Sequence, residues 1–249
     1  MSVQNKWLKT YSKPERVGIR LFCFPFAGGS APYFKTWSGL LPSFIQLSAI
    51  QYPGRGSRFG EPLIGDMDAM VTSIEANLDG HLEAPYAFFG HSMGAGIAYA
   101  LSRRLQAKGT GPEHLFVSGR NAPHLGRKEQ LHLLPDAVFS ARLKDMNGTP
   151  PEVLAHPELM ELVLPMLRAD FGLSETAKLG TDSQVTCPMT AFGGDDDRDY
   201  PATGIEAWSR YTSGDFQYHI LAGDHFFIDH SKSELLGRIG QALAGYACE

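Results

Sequence analysis

The chain has 249 residues and 43% of them are hydrophobic, so it is long enough to bury one large core. Its net charge of −5 argues against a general nucleic-acid-binding role. No stretch approaches the roughly 18 consecutive apolar residues of a membrane-spanning helix, and residues 1–16 lack the apolar centre of a signal peptide. The three cysteines are scattered without metal-binding spacing, which favours a reduced, cytoplasmic protein that binds no metal.

Short apolar runs alternate along the chain with segments of helical periodicity. The predicted strands are residues 18–24, 47–52, 86–90, 114–118, 189–193 and 216–221. The predicted helices outside the central region are residues 33–41, 67–81, 95–108, 204–211 and 234–247. This alternation is typical of an α/β fold, with a mostly parallel central sheet and helices on both faces. We therefore predict a single domain over residues 1–249.

Residues 121–183 interrupt this alternation, because they contain no convincing strand. Three short helices punctuated by proline are predicted there, at residues 135–146, 151–154 and 157–171. Apolar side chains surround nearly the whole of the third helix, which is more than one core-facing stripe requires. We predict a helical lid insertion at about residues 121–183, with a second apolar face over a substrate channel. The alternative is a helical layer packed on the sheet.

Residues 90–94 read Gly-His-Ser-Met-Gly, a G-x-S-x-G motif between an apolar run at 87–89 and the helix predicted at 95–108. A strand, a sharp turn and a helix in this order form the nucleophile elbow of an α/β-hydrolase fold. The two glycines supply the small neighbours that such a turn needs. The motif predicts Ser92 as a nucleophile, and the alternative is an ordinary glycine-rich turn.

A nucleophilic serine needs a histidine base that a carboxylate orients, and the chain order in this fold is serine, acid, histidine. His91 lies inside the elbow, where we expect it to be packed in the core. The chain order argues against five further histidines as the base, because they precede the strand that should carry the acid, at positions 81, 114, 124, 132 and 156. His219 lies within the last strand, from which a side chain rarely reaches a neighbouring loop. His230 lies at the start of the C-terminal helix, where we expect it to face solvent or to cap a turn. His225 directly follows the last strand, where α/β sheets hold ligands, and is the predicted base.

The acid and the oxyanion donors are less sharply defined by the residues alone. Three consecutive aspartates follow the strand at 189–193, and their spacing leaves both Asp196 and Asp197 as candidates. Acyl transfer also needs backbone donors for a developing oxyanion. The N–H of Met93, next to the nucleophile, is the first, and the second should come from the loop at residues 24–30.

Seven stretches spread over nearly the whole chain match a known family. They are Phe24-Pro25-Phe26-Ala27-Gly28-Gly29-Ser30, Gln51-Tyr52-Pro53-Gly54-Arg55-Gly56, Gly90-His91-Ser92-Met93-Gly94-Ala95, Ser118-Gly119-Arg120-Asn121-Ala122-Pro123, Gly148-Thr149-Pro150-Pro151-Glu152, Leu167-Arg168-Ala169-Asp170-Phe171 and the turn at residues 223–227. Together they resemble the type II thioesterases that accompany polyketide and nonribosomal peptide synthases. The Tyr-Pro-Gly-Arg and Arg-Ala-Asp-Phe stretches decide the subfamily, because they are more particular than the elbow.

The resemblance implies a role for individual residues of this chain. It places the nucleophile at Ser92, the base at His225 and the acid at Asp197, with oxyanion donors at the backbone N–H groups of Ala27 and Met93. It implies no cofactor and no metal.

Two local differences from the family leave one alternative open. Asp224 stands where the family usually carries the second glycine of Gly-Gly-His, and the segment at 198–201 is slightly longer than usual. Asp196 therefore remains the alternative acid.

The resemblance also implies an editing function. The enzyme would hydrolyse acyl thioesters from the phosphopantetheine arm of acyl or peptidyl carrier proteins, through an acyl-enzyme, and so clear stalled groups from a synthase. The alternatives are a cytosolic serine esterase acting on small free esters or acyl-CoA, and a non-catalytic binding protein on a hydrolase scaffold. Arg120, Arg127 and Lys128 are expected to help dock an acidic carrier, with ordinary solvated charges as the alternative.

Overall fold

The computed structural model of the protein describes residues 5–83, 85–126, 129–149, 151–180 and 183–247. Strands in this part of the chain form one seven-stranded sheet in the order β1-β3-β2-β4-β5-β6-β7. The strands are β1 (Leu8–Thr10), β2 (Ile19–Phe24), β3 (Ile45–Ile50), β4 (Tyr86–His91), β5 (His114–Ser118), β6 (Met189–Gly194) and β7 (Phe216–Leu221). Strands β2 to β7 are parallel, and the short edge strand β1 pairs antiparallel with β3. The predicted α/β class is confirmed.

Eight α-helices are formed by the described residues. They are α1 (Met67–Leu78), α2 (Met93–Gln106), α3 (Asp136–Asp145), α4 (Pro151–Ala155), α5 (Pro157–Thr176), α6 (Ala202–Glu206), α7 (Phe227–His230) and α8 (Lys232–Ala242). None of these helices combines the length and the apolar character needed to cross a bilayer.

The segment predicted as a helix at 33–41 is instead a 3-10 helix at Ala31–Trp37. Its buried side chains are Ala31, Phe34 and Trp37, which are spaced by three residues. A 3-10 helix has three residues per turn, so this spacing places all three on one face against the sheet. The predicted helix at 204–211 likewise divides into α6 and a 3-10 helix at Ala207–Tyr211.

Strands β2 to β6 are buried on both faces of the sheet, as their continuous apolar runs require, whereas the edge strand β7 is partly exposed. In β2, Phe22 and Phe24 pack on one side with side chains of α1 and α2, while Leu21 and Cys23 pack on the other side with the 3-10 helix at Ala31–Trp37. Alternate residues of a strand point to opposite faces, so β2 contributes to both cores. This double cover holds the carboxyl ends of β2, β4, β5, β6 and β7 rigidly beside one another.

Helices α3, α4 and α5 come after β5 and before β6 in the chain, within the region predicted to form a lid. They share a small core of their own, formed by Leu131, Phe139, Leu143, Met160, Leu167 and Phe171. The apolar side chains of α5 are exposed on one side of the helix and buried on the other. Leu159 and Leu162 are 42% and 54% exposed, whereas Leu167 and Phe171 are buried. The inward side of α5 therefore packs beside the carboxyl edge of the sheet, and the lid role stays a prediction.

The first turn of α2 packs against the ends of two strands, and glycine makes this approach possible. A Cβ atom at Gly94 would lie 2.0 Å from the carbonyl oxygen of Phe24, and one at Gly90 would lie 2.2 Å from the carbonyl oxygen of Gly94. Neither obstacle is a movable side chain. The close packing of β4, α2 and the end of β2 therefore depends on these two glycines.

We predict opposite effects for the same substitution at two helical glycines. Gly94→Ala should lower the free energy of unfolding by about 2 kcal/mol or more, because the added methyl group meets backbone. Gly237→Ala, in α8, should raise it by about 0.5–1 kcal/mol, since beyond the neighbouring residues and backbone of the helix itself no atom lies within 4 Å of the added Cβ, and alanine favours the helix. Urea unfolding followed by circular dichroism measures both. An unchanged stability in Gly94→Ala would contradict the close packing.

Candidate active site

Ser92 lies at the sharp turn between β4 and α2, with φ 54° and ψ −114°. This positive φ is rare for a residue other than glycine and marks a strained backbone. The strain is held by a hydrogen bond of 2.7 Å from the N–H of Ser92 to the carbonyl oxygen of Ser118 in β5. The turn directs the side chain of Ser92 away from the sheet, where it lines two cavities.

His225 and Asp197 meet at the carboxyl ends of β7 and β6. The Nδ1 atom of His225 lies 2.7 Å from Oδ2 of Asp197, and both side chains are buried. The other carboxylate oxygen, Oδ1, accepts hydrogen bonds of 3.2 Å from the N–H groups of Asp199 and Tyr200. Because a carboxylate only accepts, Nδ1 carries the proton and Nε2 is left with its lone pair. His225 lines one of the two Ser92 cavities, so this tautomer suits proton transfer from a hydroxyl group.

The three consecutive aspartates after β6 have different environments. Asp195 is exposed and accepts a hydrogen bond of 2.8 Å from the N–H of Gly223. Asp196 is exposed as well, whereas Asp197 is buried against His225. The structure therefore brings the carboxylate of Asp197 to the histidine. Among the described residues, no group of three or more histidine, cysteine, aspartate or glutamate side chains is placed to hold a metal ion.

Asp224, which replaces a glycine of the family pattern, fits the turn that carries His225. Gly223 has the positive φ of this turn, 126°, and among the described residues Asp224 is not one of the non-glycine positions with positive φ. Its Oδ1 accepts a hydrogen bond of 2.8 Å from the N–H of Phe226, and its Oδ2 accepts one of 3.1 Å from Nδ2 of Asn147. Asp224 thus stabilises the turn and joins it to the inserted helices.

His91 lies directly behind His225, with the two ring centroids 5.0 Å apart. It is fully buried, as predicted, and its Nδ1 lies 2.9 Å from Oγ of Ser118. Burial holds the pKa of His91 well below its usual value, and protonation of His225 during the reaction would lower it further. His91 is therefore neutral and packs against His225 without competing with it for protons.

The loop at residues 24–30, which we call the oxyanion loop, carries Ala27 beside Ser92. Both residues line both cavities. The N–H of Gly28 donates a hydrogen bond of 2.8 Å to Oδ2 of Asp170, a residue of α5. The guanidinium group of Arg55 also binds this carboxylate through both terminal nitrogens, with Nη2 2.7 Å from Oδ1. The side chains of Arg55 and Asp170 are only 5% and 1% exposed.

Sequence reasoning did not connect Arg55 with Asp170, although it singled out both stretches that contain them. The residues are 115 positions apart, and no periodicity or spacing relates a loop after β3 to the middle of α5. The available signal was the distinctive character of the Tyr-Pro-Gly-Arg and Arg-Ala-Asp-Phe stretches, which the fold joins in one ion pair.

Two cavities share Ala27, Ser92, Met146 and Phe171 in their walls and differ in the rest of their lining. The apolar cavity contains about 350 Å³ of empty space, including its mouth, and Leu143, Met146, Leu167, Phe171 and Phe226 contribute to its wall. The polar cavity contains about 630 Å³ on the same basis, and Arg120, Asn121, Ser174, Glu175 and Tyr200 contribute to its wall. A substrate with one apolar and one polar arm therefore finds two matching spaces at the serine.

Arg120, which we expected to help dock a carrier protein, is only partly exposed and binds within the protein. Its Nη1 donates a hydrogen bond of 2.7 Å to Oγ of Ser174, and its Nη2 donates one of 2.9 Å to the carbonyl oxygen of Ser174. The guanidinium group also covers Gly96, where an added Cβ would lie 3.1 Å from Cζ. Arg120 thus joins α2 to α5 within the polar cavity. Arg127 and Lys128 lie outside the described residues.

Comparisons with known proteins identify the family of this chain. The family model described as "Thioesterase domain" matches residues 19–243. The chain is 40% identical over 238 residues to the gramicidin S biosynthesis protein GrsT of Aneurinibacillus migulanus, covering 95% of this chain and 93% of GrsT. It is 36% identical over 239 residues to the thioesterase PikA5 of Streptomyces venezuelae, covering 95% of this chain and 85% of PikA5.

A solved structure shares the fold as well as the sequence pattern. The type II thioesterase BorB from the borrelidin biosynthetic cluster superposes with a TM-score of 0.87 at 34% identity, covering 95% of this chain and 97% of BorB. The predicted family resemblance and the predicted α/β-hydrolase fold are confirmed. The protein therefore belongs to the thioesterase family and is a thioester hydrolase.

Proposed function

We propose that this protein is a type II, editing thioesterase that removes acyl groups from the phosphopantetheine arm of acyl or peptidyl carrier proteins. The observation that carries the proposal is the cavity shared by Ser92 and His225, with Asp197 behind the histidine. The relatives support the pathway, since GrsT is named for gramicidin S biosynthesis and BorB comes from the borrelidin biosynthetic cluster. Editing would clear stalled groups from such a synthase.

The proposed reaction begins with attack by Ser92. Its oxygen bonds to the thioester carbonyl carbon while Nε2 of His225 takes the hydroxyl proton. Asp197 keeps the imidazole in the required tautomer and stabilises the imidazolium ion that forms. The carbonyl oxygen becomes an oxyanion and accepts hydrogen bonds from the backbone N–H groups of Met93 and Ala27.

Collapse of the tetrahedral intermediate then breaks the carbon–sulfur bond. The imidazolium of His225 gives its proton to the departing thiolate, so the phosphopantetheine arm leaves as a thiol and the acyl group remains on Ser92. Water attacks the acyl-enzyme by the same route, with His225 again acting as the base. The products are a free carboxylic acid and a carrier protein that can be loaded again.

We place the two arms of the substrate in the two cavities. An alkyl acyl chain has no hydrogen-bonding groups along its length, so it suits the apolar cavity with Leu143 and Phe171 in its wall. The phosphopantetheine arm carries two amides and one hydroxyl group, and these need the polar partners of the other cavity, such as Asn121. Helix α5 contributes to both walls, which supports a lid role for the inserted helices within one domain.

The first prediction tests the proposed nucleophile and substrate together. Ser92→Ala should lower kcat on an acylated carrier protein by a factor on the order of 10⁶, because it removes the attacking oxygen. The wild-type enzyme should cleave the carrier-bound thioester faster than an oxygen ester with the same acyl group. Stopped samples analysed by intact-protein mass spectrometry follow both reactions. A Ser92→Ala variant with a tenth of wild-type activity would rule out this nucleophile, and faster ester cleavage would favour the esterase alternative.

The second prediction separates the two candidate acids. Asp197→Asn should lower kcat by about 10⁴-fold, since the amide favours the wrong tautomer of His225. Asp196→Asn, the matched control, should stay within about tenfold of wild type, because this side chain is exposed. Both rates are measured with an acyl-pantetheine thioester. A severe loss in Asp196→Asn with a mild loss in Asp197→Asn would assign the acid to Asp196.

The third prediction concerns the acyl chain. Leu143→Phe should fill part of the apolar cavity and lower kcat/KM for long acyl chains by about tenfold or more, while acetyl and propionyl thioesters are cleaved nearly as before. The measurement is kcat/KM against chain length for acyl-pantetheine thioesters. Leu133→Phe is the control, since Leu133 is 68% exposed on the same inserted region. An equal loss for all chain lengths would show that the acyl group does not occupy this cavity.

A further inference from the structure

The oxyanion loop is held from one side by the segment that follows β3. At one end of the loop, the Tyr52 hydroxyl group donates a hydrogen bond of 3.3 Å to the carbonyl oxygen of Pro25. Just beyond the other end, the N–H of Ala31 donates one of 3.2 Å to Oε1 of Gln51. Nε2 of Gln51 in turn donates to the carbonyl oxygen of Arg55 at 3.0 Å. Both ends of the loop are therefore attached to residues 51–55.

The middle of the loop is attached through the carboxylate of Asp170. Oδ2 of Asp170 accepts hydrogen bonds from the N–H of Gly28 and from Nη1 of Arg55, while Oδ1 accepts from Nη2 of Arg55. Leu167, one turn earlier in α5, lies against Gly28, where an added Cβ would be 2.7 Å from its Cδ2. Gly28 also has a positive φ of 77°, so its backbone is fixed by a turn, a methyl group and a carboxylate.

These contacts act on the residue immediately before Gly28. The peptide unit between Ala27 and Gly28 is planar, so a hydrogen bond to the N–H of Gly28 fixes the orientation of that unit. The N–H of Ala27 belongs to the preceding unit and is oriented through a single Cα atom. An oxyanion donor must be held within a few tenths of an ångström of its productive position.

We infer that Asp170, oriented by Arg55, is a positioning residue that holds the oxyanion loop so that the N–H of Ala27 faces the reacting carbonyl. This inference rests on the proposed function, in which Ser92 is the nucleophile. The carboxylate is charged and is buried together with the guanidinium group of Arg55, so charge-assisted hydrogen bonds shielded from water set its orientation. The carboxylate also links α5 of the inserted region to the oxyanion hole.

Asp170→Asn and Arg55→Lys test this role. The amide of asparagine has one acceptor oxygen in place of two, and lysine keeps the positive charge but loses the paired geometry. Arg58→Lys is the matched control, because Arg58 is also buried in the loop after β3 but binds the carbonyl oxygen of Gln51 and the carboxylate of Glu61. Exhaustive labelling with a fluorophosphonate counts the intact active sites in each variant.

We expect the variants to stabilise the transition state less well, with little change in substrate binding. Per labelled site, Asp170→Asn should lower kcat on an acyl-pantetheine thioester by about 10²–10³-fold, the range for loss of one oxyanion donor. KM should change by less than about threefold, since the substrate carbonyl binds weakly before attack. Inhibition by a matched trifluoromethyl ketone should weaken by a factor similar to the loss in kcat, because its adduct with serine carries the same oxyanion. Arg55→Lys should show the same pattern, and Arg58→Lys should not.

Three results would overturn the inference. The first is a kcat per labelled site in Asp170→Asn and Arg55→Lys equal to that of Arg58→Lys. The second is a fall in kcat without weaker inhibition by the ketone. The third is a loss seen entirely in KM. If Asp170→Asn yields no labelled sites, Arg55→Lys decides by the same criteria. Failure of the proposed function is distinct, since an active Ser92→Ala variant would show it whatever Asp170 does.

Discussion

A buried ion pair between Arg55 and Asp170 joins three parts of the chain that are far apart in sequence. Two charges removed from water stabilise a fold only when their remaining hydrogen-bonding positions are occupied. Here both oxygens of Asp170 accept hydrogen bonds, and Nε of Arg55 donates to the carbonyl oxygen of Pro53 at 3.3 Å. These hydrogen bonds form together in only one relative orientation of the two side chains. A displacement of α5 or of the loop after β3 would separate this buried ion pair, and a displacement of the oxyanion loop would remove the hydrogen bond from Gly28.

Asp197, on the other side of the active site, is likewise a buried carboxylate whose hydrogen-bonding positions are occupied. Asp197 has its two oxygens occupied by His225 and by two backbone N–H groups, so its carboxylate is also restricted to one orientation. His91 is neutral because of its burial, which removes a competing charge from behind His225. Ser92 shares one cavity with Ala27 of the oxyanion loop and with His225, and it lies on a strained turn that the sheet supports. The strained and the charged groups are each fixed by packing that does not depend on a bound substrate.

The sequence predicted the features that arise from local pattern. Apolar runs identified β2 and β4 to β7 within one residue at each end, and the elbow around Ser92 followed from a strand, a short turn and a helix. Strand β1 was missed because three residues carry too little pattern, and it exists through its pairing with Ser48–Ile50. The choice between Asp196 and Asp197 could not be made from spacing, since the two are adjacent in the chain and the path of the loop determines which side chain is buried. The partner of Asp170 is a property of the tertiary fold alone.

The order of the strands also determines when this site is assembled during synthesis. Ser92 follows β4 in the middle of the sheet, whereas His225 follows β7, the last strand added at one edge. Parallel pairing depends on contacts that are distant in sequence and form slowly. A nascent chain therefore exposes its serine elbow well before the histidine that would activate it. A ribosome-bound or C-terminally truncated chain that ends before β7 contains Ser92 but lacks the histidine that would act as its general base.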